Sequence, residues 1–267
     1  MPLDNAVEHK NLVSSVIKAG QILDCFTPDN HQLNLTQISN KLNFPKSTTL
    51  NLLQTLEFGG FIIRVKDSNN YQLGYKNMEL GYRTMTSLAI LPYAIPLIEE
   101  LQDRTNEIIY LTTHIEGKVF YLHCSYPNKP TVSYSVMGKM LPMHCTGCGK
   151  AMLSYLDIDY IDRIIKTYGL AQFTPNTITT KEALLENLEQ SRNRGYAIDN
   201  QEETSGVKCV AVAIRNASGN SVGAISISGS ALSMSQDKFD NYAALLSTSC
   251  TILSQQAKLF PASMIYS

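Results

Sequence analysis

His144, Cys145 and Cys148 fall within five residues (HCTGC), and with His123 and Cys124 they supply the nitrogen and sulfur donors from which zinc sites and dithiol pairs are built. The spacing carries only part of either chemistry. His123 and Cys124 are neighbours in an extended stretch, so their side chains leave opposite faces and both cannot serve one ion. A single CxxC then provides two ligands, which is weak evidence for a metal. A redox pair at Cys145 and Cys148 remains open, because a thiol at a helix N-terminus has a lowered pKa. Hydrolytic chemistry lacks support: there is no GxSxG, and none of His9, His31, His114, His123 and His144 sits in a nucleophile motif.

Two other segments offer hydrogen bonding rather than reactivity. In KSTTLNLLQTL, Thr49, Leu52, Leu53 and Leu56 recur at i, i+3, i+4 and i+7, so they face a core. The opposite face presents Ser47, Thr48, Asn51, Gln54 and Thr55. A solvated helix normally carries Lys and Glu there, whereas amides and hydroxyls are what reading base edges in a major groove needs. In VGAISIS, Ile225 and Ile227 share one face of a strand while Ala224, Ser226 and Ser228 share the other. Taken alone, that alternation describes a sheet with one wet face.

The elements around these residues follow from periodicity. Residues 12–26 place Val13, Val16, Ile17, Ile22, Leu23 and Phe26 mainly on one helical stripe. After a turn at 28–30 come two short helices broken at Phe44-Pro45, with Thr36 and Ser47 as expected caps. Gly59-Gly60 ends the second, and FIIRVKDSNNYQLGY predicts a hairpin. Helix, helix, helix, hairpin is the winged helix-turn-helix order. The stretch 76–92 reads as a linker helix with a seam of Met78, Tyr82, Met85 and Ala89 suited to a partner helix. From about residue 93 the pattern predicts an α+β domain: a helix to about Thr105, strands IIYLTTHI, VFYLHCSY and TVSYS, and a helix from about Gly149. Helices near 157–168 and 181–194 follow, then strands YAID, VKCVAVAI and VGAISIS, and a last helix over 235–258. The expected domains are 1–75, 76–92 and 93–267.

With 267 residues, 44% apolar and 17% charged, the chain is long enough for a full core and too apolar for disorder. Its longest apolar run, Leu88 to Ile98, is interrupted by Pro92 and Pro96 and is too short to span a membrane. MPLDNAVEHK has acids where a secretory signal needs a basic start, so a cytoplasmic protein with no membrane partner is expected. Six scattered cysteines do not make a disulfide framework, and no cofactor is expected. A net charge of −1 and a pI of about 6.5 give no pull toward nucleic acid.

LTQISNKLNFPKSTTLNLLQTLEFGGFI followed by YQLGYKNMELG is nevertheless similar to the DNA-binding half of the isocitrate-lyase-regulator (IclR) family of bacterial transcription regulators. The second half resembles the same family through LPMHCTGCGKAML, RGYAIDNQEETSGVKCVAVAI and VGAISISG, in order and spacing. The resemblance spans about residues 12–258. It implies a winged helix-turn-helix domain contacting operator DNA through Lys46, Ser47, Thr48, Asn51, Gln54 and Thr55. It also implies a linker-mediated homodimer or dimer of dimers, and a GAF-like domain binding a small carboxylate effector of catabolism. The family's effector positions correspond here to Gly147, Cys148, Asp199, Cys209, Ser226 and Ser228. Amides leading into the helix GKAMLSYL form a natural carboxylate cradle, with serine hydroxyls as further donors. Asp199 cannot hydrogen-bond an anion unless protonated, so it is expected to accept from a ligand hydroxyl.

Two departures qualify the resemblance. The family more often has a small residue such as alanine where Cys148 stands. Its recognition helix commonly carries an arginine after KST, and this chain reads Lys46-Ser47-Thr48-Thr49-Leu50-Asn51. Over residues 1–75, Lys10, Lys18, Lys41, Lys46, Arg64 and Lys66 are balanced by Asp4, Glu8, Asp24, Asp29, Glu57 and Asp67. So little counterion release predicts weak binding per half-site and a need for assembly.

Overall fold

The computed structural model describes residues 12–128, 136 and 139–257, and the chain divides into two units, residues 6–87 and residues 88 onward. In the first, α1 (Ser14–Leu23) precedes β1 (Leu33–Asn34), α2 (Leu35–Leu42), α3 (Lys46–Phe58), β2 (Ile62–Arg64), β3 (Asn70–Leu73) and α4 (Tyr75–Thr86). The expected hairpin is β2 and β3, and β1 adds a third strand that alternation over two residues cannot reveal. Ile22, Phe26, Leu33, Ile38, Leu53, Leu56, Ile62 and Tyr71 form the core, with Thr49 beneath them donating back to the Pro45 carbonyl at 3.1 Å.

Local chemistry corrects several expectations. Asn34, not Thr36, caps α2 through a capping box: its side chain accepts from Gln37 N at 3.0 Å while Gln37 Oε1 accepts from Asn34 N at 2.8 Å. Ser47 does not cap α3, whose N-cap is Pro45 with no side-chain bond. Only the C-terminal part of the first stripe is covered, since Val13, Val16 and Ile17 are exposed. The linker does not run as one helix to residue 92. α4 ends at Thr86 and α5 starts at Leu91, with Pro92 in the first turn, where its missing N–H leaves no bond unmade, and Pro96 further inside.

The second unit contains α5 (Leu91–Thr105), β4 (Ile108–Ile115), β5 (Lys118–Ser125), β6 (Met140–Pro142), α6 (Gly147–Leu153), α7 (Ile158–Tyr168), α8 (Lys181–Arg194), β7 (Ala197–Asn200), β8 (Val207–Arg215), β9 (Ser221–Ser230) and α9 (Gln236–Gln255). The strands form one antiparallel sheet in the order β6-β5-β4-β9-β8-β7. Strand β6 was not anticipated, and the strand expected at TVSYS lies outside the described residues. Helices α5 and α9 pack on one face of the sheet and α6 on the other, with α8 against α6.

The approach of α6 to the sheet depends on glycine. A Cβ on Gly149 would stand 2.3 Å from the Met143 carbonyl oxygen and 2.4 Å from its Cα, distances that backbone cannot yield to. Gly20, by contrast, is an exposed position inside α1 with open space around it. Gly149→Ala is expected to destabilise the chain by on the order of 3 kcal/mol, whereas Gly20→Ala should stabilise it by up to about 1 kcal/mol. Urea titrations of the two variants, read by far-ultraviolet circular dichroism, check both signs.

Candidate functional site

Antiparallel register brings the expected effector residues together. Asp199 on β7 lies directly opposite Cys209 on β8, and Cys209 lies opposite Ser228 on β9, so these three form one row across the sheet. The next row on this face runs from Ala211 through Ser226 to Tyr110 on β4. Gly147, at the head of α6, comes down onto β8, where an added Cβ would sit 3.3 Å from Cys209 Cβ. Between helix and sheet is a narrow cavity whose walls include all six predicted effector residues. The serine face is therefore not a solvated one: Ser226 and Ser228 are each 3% exposed, because α6 covers them.

Each polar group of this cavity has a definite state. Ser228 Oγ donates to Cys209 Sγ at 2.9 Å, and Cys148 lies in hydrogen-bond contact with Ser226 and Thr112. Thr146 caps α6 by accepting from Gly149 N at 3.2 Å while donating to the Pro142 carbonyl at 3.0 Å. One of the three expected amide donors is thus taken, which leaves those of Gly147 and Cys148 in the first turn. Asp199 is buried, its Oδ1 accepting from Glu202 N at 2.7 Å. Burial raises its carboxyl to about 7, outweighing that hydrogen bond and the Lys150 charge. A carboxyl raised in this way donates as well as accepts while it holds its proton.

Sequence reasoning missed four participants. Tyr110 lines the cavity with its ring edge-on to Tyr121 at 5.2 Å, and its hydroxyl is buried with no hydrogen-bond partner. Glu203 and Thr204 form part of the wall, with the Thr204 hydroxyl donating to the Glu203 carboxylate. Behind the wall, Lys150 is fully buried and paired with Glu202. The run DNQEETSG signalled acids near Asp199, but nothing local marks the lysine of GKAML as an interior charge.

The thiol readings fare differently. Burial pushes Cys148 up to about 11 and raises Cys145 as well, so desolvation overrides the lowering expected at a helix start. The cavity includes Cys148 but not Cys145, and the described cysteines are free thiols. His144 is committed elsewhere, bonding the Ala171 carbonyl through Nε2 at 3.0 Å. Among the described residues, no three His, Cys, Asp or Glu side chains are grouped so as to hold a metal ion, and no helix is long and apolar enough to cross a membrane.

In the other unit, α3 presents Lys46, Ser47, Asn51, Gln54 and Thr55 exposed and Thr48 half-buried. Thr55 Oγ1 donates to the Asn51 carbonyl at 2.8 Å, which spends its proton within the helix. Arg64 on the hairpin donates to Tyr71 OH at 2.8 Å and stacks on the same ring.

Comparison with known proteins agrees with this arrangement. Residues 82–255 match the family described as bacterial transcriptional regulator IclR, C-terminal, and residues 15–65 match the IclR helix-turn-helix domain. The chain is 33% identical over 217 residues to the HTH-type transcriptional regulator XynR of Escherichia coli K12, covering 81% of this chain and 86% of that one. It is 32% identical over 244 residues to KdgR of the same strain, covering 91% and 92%. The crystal structure of Thermotoga maritima IclR superposes with a TM-score of 0.72 at 29% identity, covering 91% of this chain and 98% of that one. With family matches to both of its units, the chain belongs to the IclR family of bacterial transcription regulators.

Proposed function

We propose that the chain is a ligand-responsive regulator of catabolic genes in the cytoplasm, binding operator DNA through its N-terminal unit and a small keto, hydroxy or sugar acid through its C-terminal unit. The observation that carries this reading is the cavity under α6, where Ser226, Ser228, Asp199, Cys209 and the head of the helix converge. First-turn amides and serine hydroxyls supply donors for carboxylate oxygens, and Asp199 addresses a second polar group. The repression or activation partner is double-stranded DNA, read by Thr48, Asn51 and Gln54 with Lys46, Ser47 and Thr55 at the flanks.

The active form is a homodimer or a dimer of dimers. Tyr75, Met78 and Tyr82 stand exposed on α4, an apolar row consistent with the linker seam, and two recognition helices compensate for weak charge attraction. On this reading residues 1–75 bind DNA, 76–92 connect, and 93–267 sense. The redox alternative is set aside, since the raised thiols of Cys145 and Cys148 are the reverse of what ready oxidation requires.

Two measurements test the reading. An amide bonded twice to an adenine edge contributes on the order of 1 to 3 kcal/mol of discrimination, so Asn51→Ala with Gln54→Ala should erase operator preference in footprinting while non-specific binding persists. An unchanged footprint refutes the assignment. For the cavity, a thermal-shift screen of two- to six-carbon keto, hydroxy and sugar acids should find at least one that raises the melting temperature, with the matching neutral alcohols silent. Ser226→Ala with Ser228→Ala should weaken that acid by roughly 1 to 3 kcal/mol in total, at about 0.5 to 1.5 per hydrogen bond, and leave ligand-free DNA binding intact.

A further inference from the structure

The cavity carries an electrostatic conflict with the anion it is proposed to hold. Asp199 and Glu203 line it, and among the described residues no lysine, arginine or histidine does. The buried cation nearby, Lys150, is completely covered and engaged by Glu202. Fully ionised, Lys150, Asp199 and Glu202 leave an excess of negative charge beside the cavity. A ligand carboxylate brought into the same poorly solvated space meets like charge with no counter-cation, an arrangement that drives one of the acids to keep a proton.

The groups around Asp199 single out which acid that is. Across β8 stands Cys209 and at the head of α6 stands Cys148, both thiols raised by burial and therefore neutral. Cys145, just before the helix, is raised likewise, and burial holds the His144 imidazole below its usual range and so uncharged at neutral pH. Lys150 on α6 is occupied by Glu202, whose Oε1 also accepts from Asn200 N at 3.3 Å. Glu203 is only half-buried and receives the Thr204 hydroxyl. Asp199 is 4% exposed, lines the cavity, and shares a row with Cys209 one strand away and Ser228 two strands away.

Resting on the carboxylate reading of the cavity, we propose that a carboxylate binds there together with a proton on Asp199, taken up from solvent wherever Asp199 is otherwise ionised, and that the Asp199 O–H donates to the bound oxygen. Such a hydrogen bond between a carboxylic acid and a carboxylate is short and charge-assisted, and takes the place of the absent cation. Effector affinity thereby becomes a function of pH around neutrality. The free protein shows the same group in its stability. Burial raises the Asp199 carboxyl from 3.8 to about 7, so between those values the folded chain holds a proton that the unfolded chain has released. Stability contributed by this group is full below about 4 and falls as pH rises to about 7.

Isothermal titration of the full chain with pyruvate, lactate, gluconate and galacturonate, at about pH 6 and about pH 8 and in two buffers of different ionisation enthalpy, tests the proposal. At least one acid should bind at the lower pH and bind about tenfold more weakly at the higher one, with close to one proton taken up per carboxylate there. Asp199→Asn should flatten that pH profile and remove the fall in stability between about pH 4 and about pH 7. If this variant fails to fold, proton uptake by the wild-type chain decides alone. Equal affinity at both pH values without uptake overturns the proton proposal and leaves the carboxylate reading standing. If none of the four acids binds at either pH, the carboxylate reading fails and the proposal falls with it.

Discussion

The sensing unit depends on how closely α6 can lie on its sheet. Gly149 lets the helix start against the Met143 backbone, and Gly147 lets its first turn touch β8 at Cys209 and Ala211. Side chains at either position would lift the helix, expose Ser226 and Ser228 to water, and dissolve the cavity into a solvated sheet face. Small residues on the strand side, Ala211, Ala213 and Ala224, meet the helix from below and belong to the same core as Met152 and Leu153. The glycines are thus structural requirements first, and the cavity is the space left where the helix head cannot fill the pleat.

A buried polar network then fixes the wall. Lys150 and Glu202 form an interior ion pair, which contributes specificity of position more than stability, because desolvating two charges offsets most of their attraction. The segment after β7 is held by hydroxyls: Thr177 donates to the Glu202 carbonyl at 2.6 Å and Thr174 to the Gln201 carbonyl at 2.7 Å. These bonds place Glu202 N at Asp199. The charge of Lys150 is consumed in building the wall and is not offered to a ligand, so an interior cation and a cationless cavity are two sides of one arrangement.

Much of this was legible in the sequence, for identifiable reasons. Period-two alternation located Ser226 and Ser228 on one face, and period 3.6 located Leu53 and Leu56 in the core of the DNA-binding unit. Family resemblance supplied the association of Asp199 with Cys209 and Gly147, which lie far apart in the chain. What escaped was long-range or covered by competing local chemistry. Register between β4 and β9 decides that Tyr110 stands beside Ser226, and no local pattern encodes it. The cap at Asn34 outcompeted Thr36 because Gln37 stands where a reciprocal bond can form. Thiol acidity at Cys148 was misjudged because a helix start lowers a pKa only when solvent or charge supports the anion, and here α6 is buried throughout.

Both recognition surfaces share an unusual economy of charge. The recognition helix offers amides and hydroxyls with a single lysine at its start, and the hairpin arginine is engaged by Tyr71. The cavity offers hydroxyls, first-turn amides and a buried carboxyl whose pKa burial raises. Neutral donors lose affinity less steeply with added salt than cations do, since few counterions are released on binding. They also discriminate more sharply by geometry, because a misplaced partner leaves a desolvated group unpaired rather than attracted at a distance. On the proposed reading, affinity for DNA comes from two or more recognition helices acting together, and affinity for an anion from a proton held on Asp199. On that reading both places take selectivity from hydrogen-bond geometry rather than from fixed charge.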